Sequence, residues 1–179
     1  MELSKILYSA ISEYGEQRIL SDIVQGESPD TIKAIFEHCM SNIEKNETVK
    51  PDTSGAVAEG LLHYMLTVSM IPSQRKTLFQ SVEIDVAVPD TRTLGVSPQD
   101  VAVILFPKTD NPDNIKSHIE KIKKIQPNVN NIWVVIDDNL QLDSKVYALK
   151  NSMTFANIIN DLISFTSNKK QSKLKIFKI

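Results

Sequence analysis

One cysteine in 179 residues leaves no partner for a disulfide within the chain. Cys39 lies on the apolar side of a helical pattern and reads as a small core residue. No apolar run approaches the length of about 18 residues that spans a bilayer. No basic-then-apolar leader opens the chain, and no lipidation signal is present. These absences set the expectation of a soluble, cytoplasmic protein with no membrane partner. The phosphate-cradling patterns GxGxxG and GxxxxGK followed by Ser or Thr are missing, as are HExxH, paired CxxC and GxSxG. Dinucleotide enzymes, P-loop NTPases, zinc proteases, zinc ribbons and serine hydrolases of the usual kinds are thereby disfavoured. Neither an internal repeat nor a low-complexity segment occurs.

A hydrophobic content of 41% suits one ordinary globular domain with a small appendage. The net charge of −2 hides a lopsided distribution. Residues 1–60 carry five bases against eleven acids, a balance of −6, whereas beyond Asp143 seven lysines face one aspartate, a balance of +6. Two readings of the basic end stand: a surface facing a polyanion, or a lysine edge that keeps a terminal strand from pairing with other molecules.

Residues 2–24 have Ile6, Leu7, Ala10, Ile11 and Tyr14 at helical spacing, with a break at Gly15 and an end at Gly26. In "ESPDTIKAIFEHCMSNIEKN", Ser28 reads as a cap, Pro29 as the first helical residue, and Ile32, Ile35, Phe36, Cys39, Met40 and Ile43 as an apolar stripe. The polar stretch "ETVKPDTSG" reads as a linker. It divides the chain into a helical amino-terminal segment, 1–50, and an α/β domain, 51–179. That domain opens with the helix "SGAVAEGLLHYMLTVSM". "KTLFQSVEIDVAVPD" is a hairpin and "TRTLGVSPQD" a polar turn. "VAVILFPK" and "NIWVVI" are apolar throughout, as strands covered on both faces are, and the helix "NPDNIKSHIEKIKKIQ" joins them. "KVYAL" reads as a short strand, "SMTFANIINDLISF" as a helix opened by Ser152, and "KLKIFKI" as a terminal strand. The alternation predicts a three-layer α/β fold: a mixed sheet with helices on both faces, the crossover between the two apolar strands making them parallel.

One acid interrupts this pattern. At a two-residue period "SVEIDVAVPD" places Val82, Ile84, Val86 and Val88 on one face and Glu83, Asp85 and Ala87 on the other. Asp85, mid-strand, is solvated, paired, or holding a metal.

Residues 55 to about 136 resemble the core of the PD-(D/E)XK nuclease superfamily, the restriction-endonuclease-like fold. The resemblance rests on Glu59 in the helix "GAVAEGLLHYML", Asp85 in the hairpin strand "VEIDVAV", and Lys108 closing "VAVILFPK". It implies nucleic acid as the partner, with Asp85, Glu59 and Lys108 as the catalytic set. Asp85 and Glu59 would hold Mg²⁺, an ion that takes oxygen ligands in octahedral geometry. Lys108 would steady the attacking water or the developing phosphate charge. The family places an acid two residues before that lysine, where alternate residues of a strand share a face. Here that position is Phe106, so the set is incomplete.

Three explanations stand for the gap: lost activity on a retained fold, migration of the carboxylate to Glu59, Glu120 or Asp113, or an Asp85 merely solvated at a sheet end. Asp100 does not easily substitute, since eight residues of strand put it on the order of 26 Å from Lys108 at about 3.3 Å per residue. Glu59 and His63, one turn apart, are too few to hold zinc and read as a hydrogen-bonded pair on a helix surface. His38 and His118 are expected to face water. Lys116, Lys121, Lys123 and Lys124 form a basic helix face without the interleaved aromatics that stack single-stranded bases, a solvated face or one that lies along phosphates. The expected function is a nuclease-like protein that binds nucleic acid and cuts it if a divalent metal completes the site. The alternative is a non-catalytic interaction or dimerisation module on the same fold, docking a protein partner or a second copy through the acidic helical segment.

Overall fold

The structure is a computed structural model and describes residues 3–46, 52–138 and 140–175. Three helices come first, α1 (Leu3–Tyr14), α2 (Glu16–Gln25) and α3 (Ser28–Asn46), followed by α4 (Thr53–Val68). The break between α1 and α2 falls at Gly15, and α2 ends on Gly26 in the left-handed conformation, φ 79°. Both backbones favour glycine, which has no Cβ to clash. Ser28, expected as a cap, is the first residue of α3 itself. Buried where α3 meets the far end of the chain, its hydroxyl donates to Asn160 Oδ1 at 2.8 Å. Residues 47–51 of the expected linker lie outside the described residues.

A five-stranded sheet follows, in the order β1 (Gln74–Phe79), β2 (Val82–Val88), β3 (Ala102–Leu105), β4 (Ile132–Ile136), β5 (Lys145–Ala148). The β1–β2 and β2–β3 pairs are antiparallel, β3–β4 and β4–β5 parallel. Gln80 and Ser81, with φ of 48° and 63°, turn β1 into β2, as a two-residue hairpin matched to strand twist requires. The helix α6 (Pro112–Lys123) joins β3 to its parallel neighbour β4. Asn111 caps it, its side chain accepting from the backbone N–H groups of Asp113 and Asn114.

Helices cover both faces. Along β3, Ala102, Ile104 and Phe106 join a core built with α1–α4 and α7 (Ile158–Lys175), while Val103 and Leu105 join a second core with Ile115, Ile119 and Ile122 of α6. β4 alternates likewise, Trp133 and Val135 to one side, Ile132 and Val134 to the other. Burying each such aliphatic chain stabilises by about 1.5–3 kcal/mol, so a strand with two covered faces is held by every residue.

Three local expectations are corrected. "TRTLGVSPQD" is not an open turn: Asp90 caps a short helix, α5 (Thr91–Val96), by accepting from Thr93 N at 2.6 Å, and residues 98–100 make a 3₁₀ turn. Its polarity concealed a capped turn whose Leu94 fills the second core. Ser152 does not open the last helix either. Met153, at φ 45°, leads into a 3₁₀ turn, Thr154–Asn157, before α7 begins. The expected terminal strand is helical as far as the structure describes it, since Lys173 to Lys175 continue α7. An established helix propagates through lysine and leucine at little cost. Residues 176–179 lie outside the described residues.

Candidate functional site

The pleat of β2 does not hold from end to end. Val82 and Ile84 pack on the α6 side with Ala87, whereas Val86 and Val88 pack on the opposite side with α4. The expected single face for these four residues is therefore broken, and the break is at Asp85. Its cause sits on the neighbouring strand. Lys76 has φ 43°, the left-handed region that L residues rarely adopt. The ladder pairs Arg75 with Val86 and Thr77 with Ile84 but leaves the Lys76–Asp85 step unpaired.

At this step β2 also parts from β3. Their pairing ends at Val86 and Ile104. Asp85 Oδ2 accepts the backbone N–H of Phe106 at 2.8 Å, closing the opened ladder with a side chain. Burial raises the Asp85 pKa above the usual carboxylate value, the Phe106 N–H opposes this, Glu59 adds to the rise, and His118 and Lys108 oppose it. Charges from three other elements thus converge on one carboxylate. Asp85 is paired with backbone and is not a solvated acid at a sheet end.

Glu59 arrives from α4, whose Val57, Ala58, Leu61, Leu62, Met65 and Leu66 are buried on several sides. A Cβ on the adjacent Gly60 would stand 2.9 Å from Leu7 Cδ2, so the glycine lets the Leu7 side chain of α1 lie against α4 without shifting. Glu59 is only 8% exposed. Its Oε1 meets Arg75 Nη2 at 3.0 Å and Lys76 Nζ at 3.4 Å. The expected surface pair with His63 does not form, because Glu59 turns inward to these two cations while His63 stays exposed. The His63 pKa is lowered by partial burial and by the Arg75 charge, against a smaller opposing effect of Glu59.

Lys108 is exposed one residue beyond Pro107, at the carboxyl end of β3, within electrostatic reach of Asp85. Phe106, two residues before it, is 5% exposed and belongs to the main core. That position is apolar in fact as in sequence. His118 was expected in water, yet it is half-buried over the hairpin with Nε2 3.4 Å from Glu83 O. One turn beyond the inward Ile115, it lies on the inner edge of α6, the one signal that could have found it. His38 does face solvent, 3.2 Å from Glu13. Arg75 and Lys76 carried no sequence signal, since a strand beginning with bases is ordinary.

The other carboxylates proposed to fill the gap are engaged elsewhere or face outward. Glu120 pairs with Lys123 at 2.7 Å, and Asp113 is exposed in the first turn of α6. Asp100, already set aside by its distance along the strand, accepts from Ser97 Oγ at 2.7 Å. Among the described residues no three His, Cys, Asp or Glu side chains gather to hold a metal ion. The pair that remains is a poor fit to a divalent cation, because one oxygen of each is already engaged, Glu59 Oε1 with two cations and Asp85 Oδ2 with a backbone N–H.

Farther along the sheet, a cleft of about 370 Å³ opens beyond the carboxyl ends of β3 and β4, where sheets with parallel strands place ligands. Its lining is acidic. Asp137 accepts from Ser54 Oγ and pairs with Lys150 Nζ at 2.5 Å, and Asp110 and Asp138 complete the rim. The Asp137 hydrogen bond is the main reason the Lys150 pKa is raised. The charged groups lining this cleft are mainly carboxylates, whereas the other end of the site gathers the cations Lys108, Arg75, Lys76 and His118.

No family model and no curated protein matches the chain. Among solved structures it is similar to the restriction endonuclease PspGI in complex with its substrate DNA, with a TM-score of 0.66 and 12% identity over 94% of each chain. At that identity the likeness speaks for architecture alone. The mixed sheet, the helices on both faces and this likeness together give the chain a restriction-endonuclease-like fold.

Proposed function

We propose that the protein binds nucleic acid through backbone phosphates at the opened end of β2 and β3. The observation that carries this reading is a cluster of cations, Lys108 and His118 acting on Asp85 and Arg75 and Lys76 held on Glu59, on a fold similar to one solved with DNA bound. Lys108, exposed and free to extend, meets a phosphate as a point charge. Arg75 offers a planar guanidinium suited to two phosphate oxygens. Asp85 does not touch the ligand in this account. It fixes the parted strands by holding the Phe106 N–H, so the cations have a rigid base. Phe106 in place of a second carboxylate favours binding over cleavage.

The test is a salt titration of binding to duplex DNA and duplex RNA by fluorescence anisotropy. Wild type is expected to bind with affinity that falls steeply with salt. Lys108→Ala should weaken binding across unrelated sequences and reduce the salt slope by about one. Absence of salt-sensitive binding to either duplex defeats the reading. Cleavage in Mg²⁺ or Mn²⁺ that disappears in Asp85→Asn would defeat the binding-only part and restore Asp85 as a metal ligand.

A second reading, a docking module, is favoured by Leu20 and Val24, one turn apart on the acidic α2 and 42% and 87% exposed, with Tyr8 exposed on α1. Concentration-dependent sedimentation abolished by Leu20→Ser with Val24→Ser, together with no nucleic-acid affinity, would establish it instead.

A further inference from the structure

We propose that Arg75 and Lys76 are a tethered cation standing in for a divalent metal: the Asp85–Glu59 pair is closed to metal, and a phosphodiester meets these two side chains directly. The ligand half rests on the nucleic-acid reading above, whereas the metal half does not.

The geometry begins with a contradiction. Consecutive residues of a strand point to opposite faces, yet Arg75 and Lys76 both reach one oxygen, Glu59 Oε1, at 3.0 and 3.4 Å. The left-handed backbone at Lys76 makes this convergence possible. That conformation costs free energy in a residue with a Cβ and persists where surrounding structure imposes it, commonly at functional sites. The distortion also lies directly opposite Asp85, at the step the ladder leaves unpaired. The charge on Glu59 is therefore balanced by side chains, where a metal-dependent site would leave it for the ion.

The exposure of the two cations supports the second half. Glu59 is almost enclosed, its side chain 11% exposed, but those of Arg75 and Lys76 are 30% and 63% exposed. Both can hold the carboxylate on one side and face a ligand on the other. Arg75 Nε is buried and out of a ligand's reach, so it is the exposed part of the guanidinium that faces a phosphate. Phe106, at the position where a second acid would draw a metal back into the site, is packed in the core.

The first experiment is calorimetric titration of Mn²⁺ into wild type, Asp85→Asn, Arg75→Gln with Lys76→Gln, and that double variant with Asp85→Asn added. Glutamine keeps donors for Glu59 and removes only the charge, which protects folding; Lys76→Gln alone, at an exposed side chain, serves as the second variant. Wild type is expected to show no Mn²⁺ binding that depends on Asp85. The double variant should gain one site and lose it again with Asp85→Asn, and Lys76→Gln should gain it more weakly. Asp85-dependent binding by wild type overturns the proposal, as does failure of the folded double variant to bind. The second experiment is DNA binding in EDTA. Wild type should bind equally with and without Mg²⁺, and the double variant should show a salt slope smaller by about two. An unchanged slope overturns the ligand half. If wild type binds no nucleic acid while the Mn²⁺ results hold, the nucleic-acid reading fails and the closed metal seat stands.

Discussion

At the scale of single residues, Asp85 is a half-buried acid whose side chain closes an opened ladder by accepting a backbone N–H. A mid-strand aspartate is costly because burial penalises its charge, and the hydrogen bond from Phe106 N–H offsets only part of that. Its folded-state pKa lies above the unfolded value, so the folded protein binds the proton more tightly. Stability from this group is fully present below the unfolded pKa and is lost as pH rises through the folded pKa. Asp85→Asn keeps an oxygen for Phe106 N–H and has no charge to lose. We expect the variant to match wild type in acid and to be the more stable of the two at neutral pH, in urea titrations from pH 4 to 7.5. A wild-type advantage that grows toward neutrality would show that the charged carboxylate is what the fold uses. The sequence made Asp85, Glu59 and Lys108 legible, because acids and a lysine at those places in an apolar pattern stand out. Their true neighbours were not legible. His118 shares its stretch with several polar residues, and Arg75 and Lys76 acquire their role from one backbone angle that no glycine or asparagine announces.

At the scale of elements, periodicity was a reliable guide where one face decides burial. Ile115, Ile119 and Ile122 of α6 and the doubly covered β3 and β4 follow directly from their patterns. It misled where a local backbone event intervenes, as at the reversal of the β2 pleat, and where a pattern of two is laid over a helix, as at Lys173 to Lys175. The short α5 was concealed because six residues cannot display a helical period, and its existence depends on a cap. Asp90 accepts the Thr93 N–H at 2.6 Å, and that hydrogen bond is the main reason its pKa is lowered. Removing a cap of this kind costs about 0.5–2 kcal/mol, so Asp90→Ala should lower the urea midpoint of the whole protein. With a depressed folded-state pKa, the contribution is present above the unfolded value and is lost as pH falls through the folded one. The difference between wild type and variant should accordingly shrink in acid. A difference that persists unchanged at the lowest pH would assign the effect to packing of Leu94 and not to the cap.

At the scale of the molecule, the helices before the sheet share its core. Ile6, Ile11, Ile19, Ile35, Cys39 and Ile43 belong to the same buried cluster as Val86, Ile104 and Trp133. Burial pushes the Cys39 thiol up to about 11, as its enclosure at this junction requires. The chain's charge asymmetry therefore does not mark a boundary in packing: α3 buries Phe36 against Phe155, with ring centroids 6.4 Å apart, across most of the sequence. This continuity bears on the site through α4, which is held on one side by α1 at Gly60 and on the other presents Glu59 to Arg75 and Lys76. A chain beginning at residue 51 would expose that flank of α4 and leave Leu61, Leu62, Met65 and Leu66 without part of their cover. Full burial of each such side chain is worth about 1.5–3 kcal/mol, so partial exposure of several is comparable to the margin of about 5–15 kcal/mol by which domains are stable. We expect residues 51–179 alone to retain helical circular dichroism but to melt without a cooperative transition and to bind a hydrophobic dye. Cooperative melting of that fragment would make the amino-terminal helices an appendage to a self-sufficient sheet, and would shift the origin of Glu59's position from α1 to the hairpin alone.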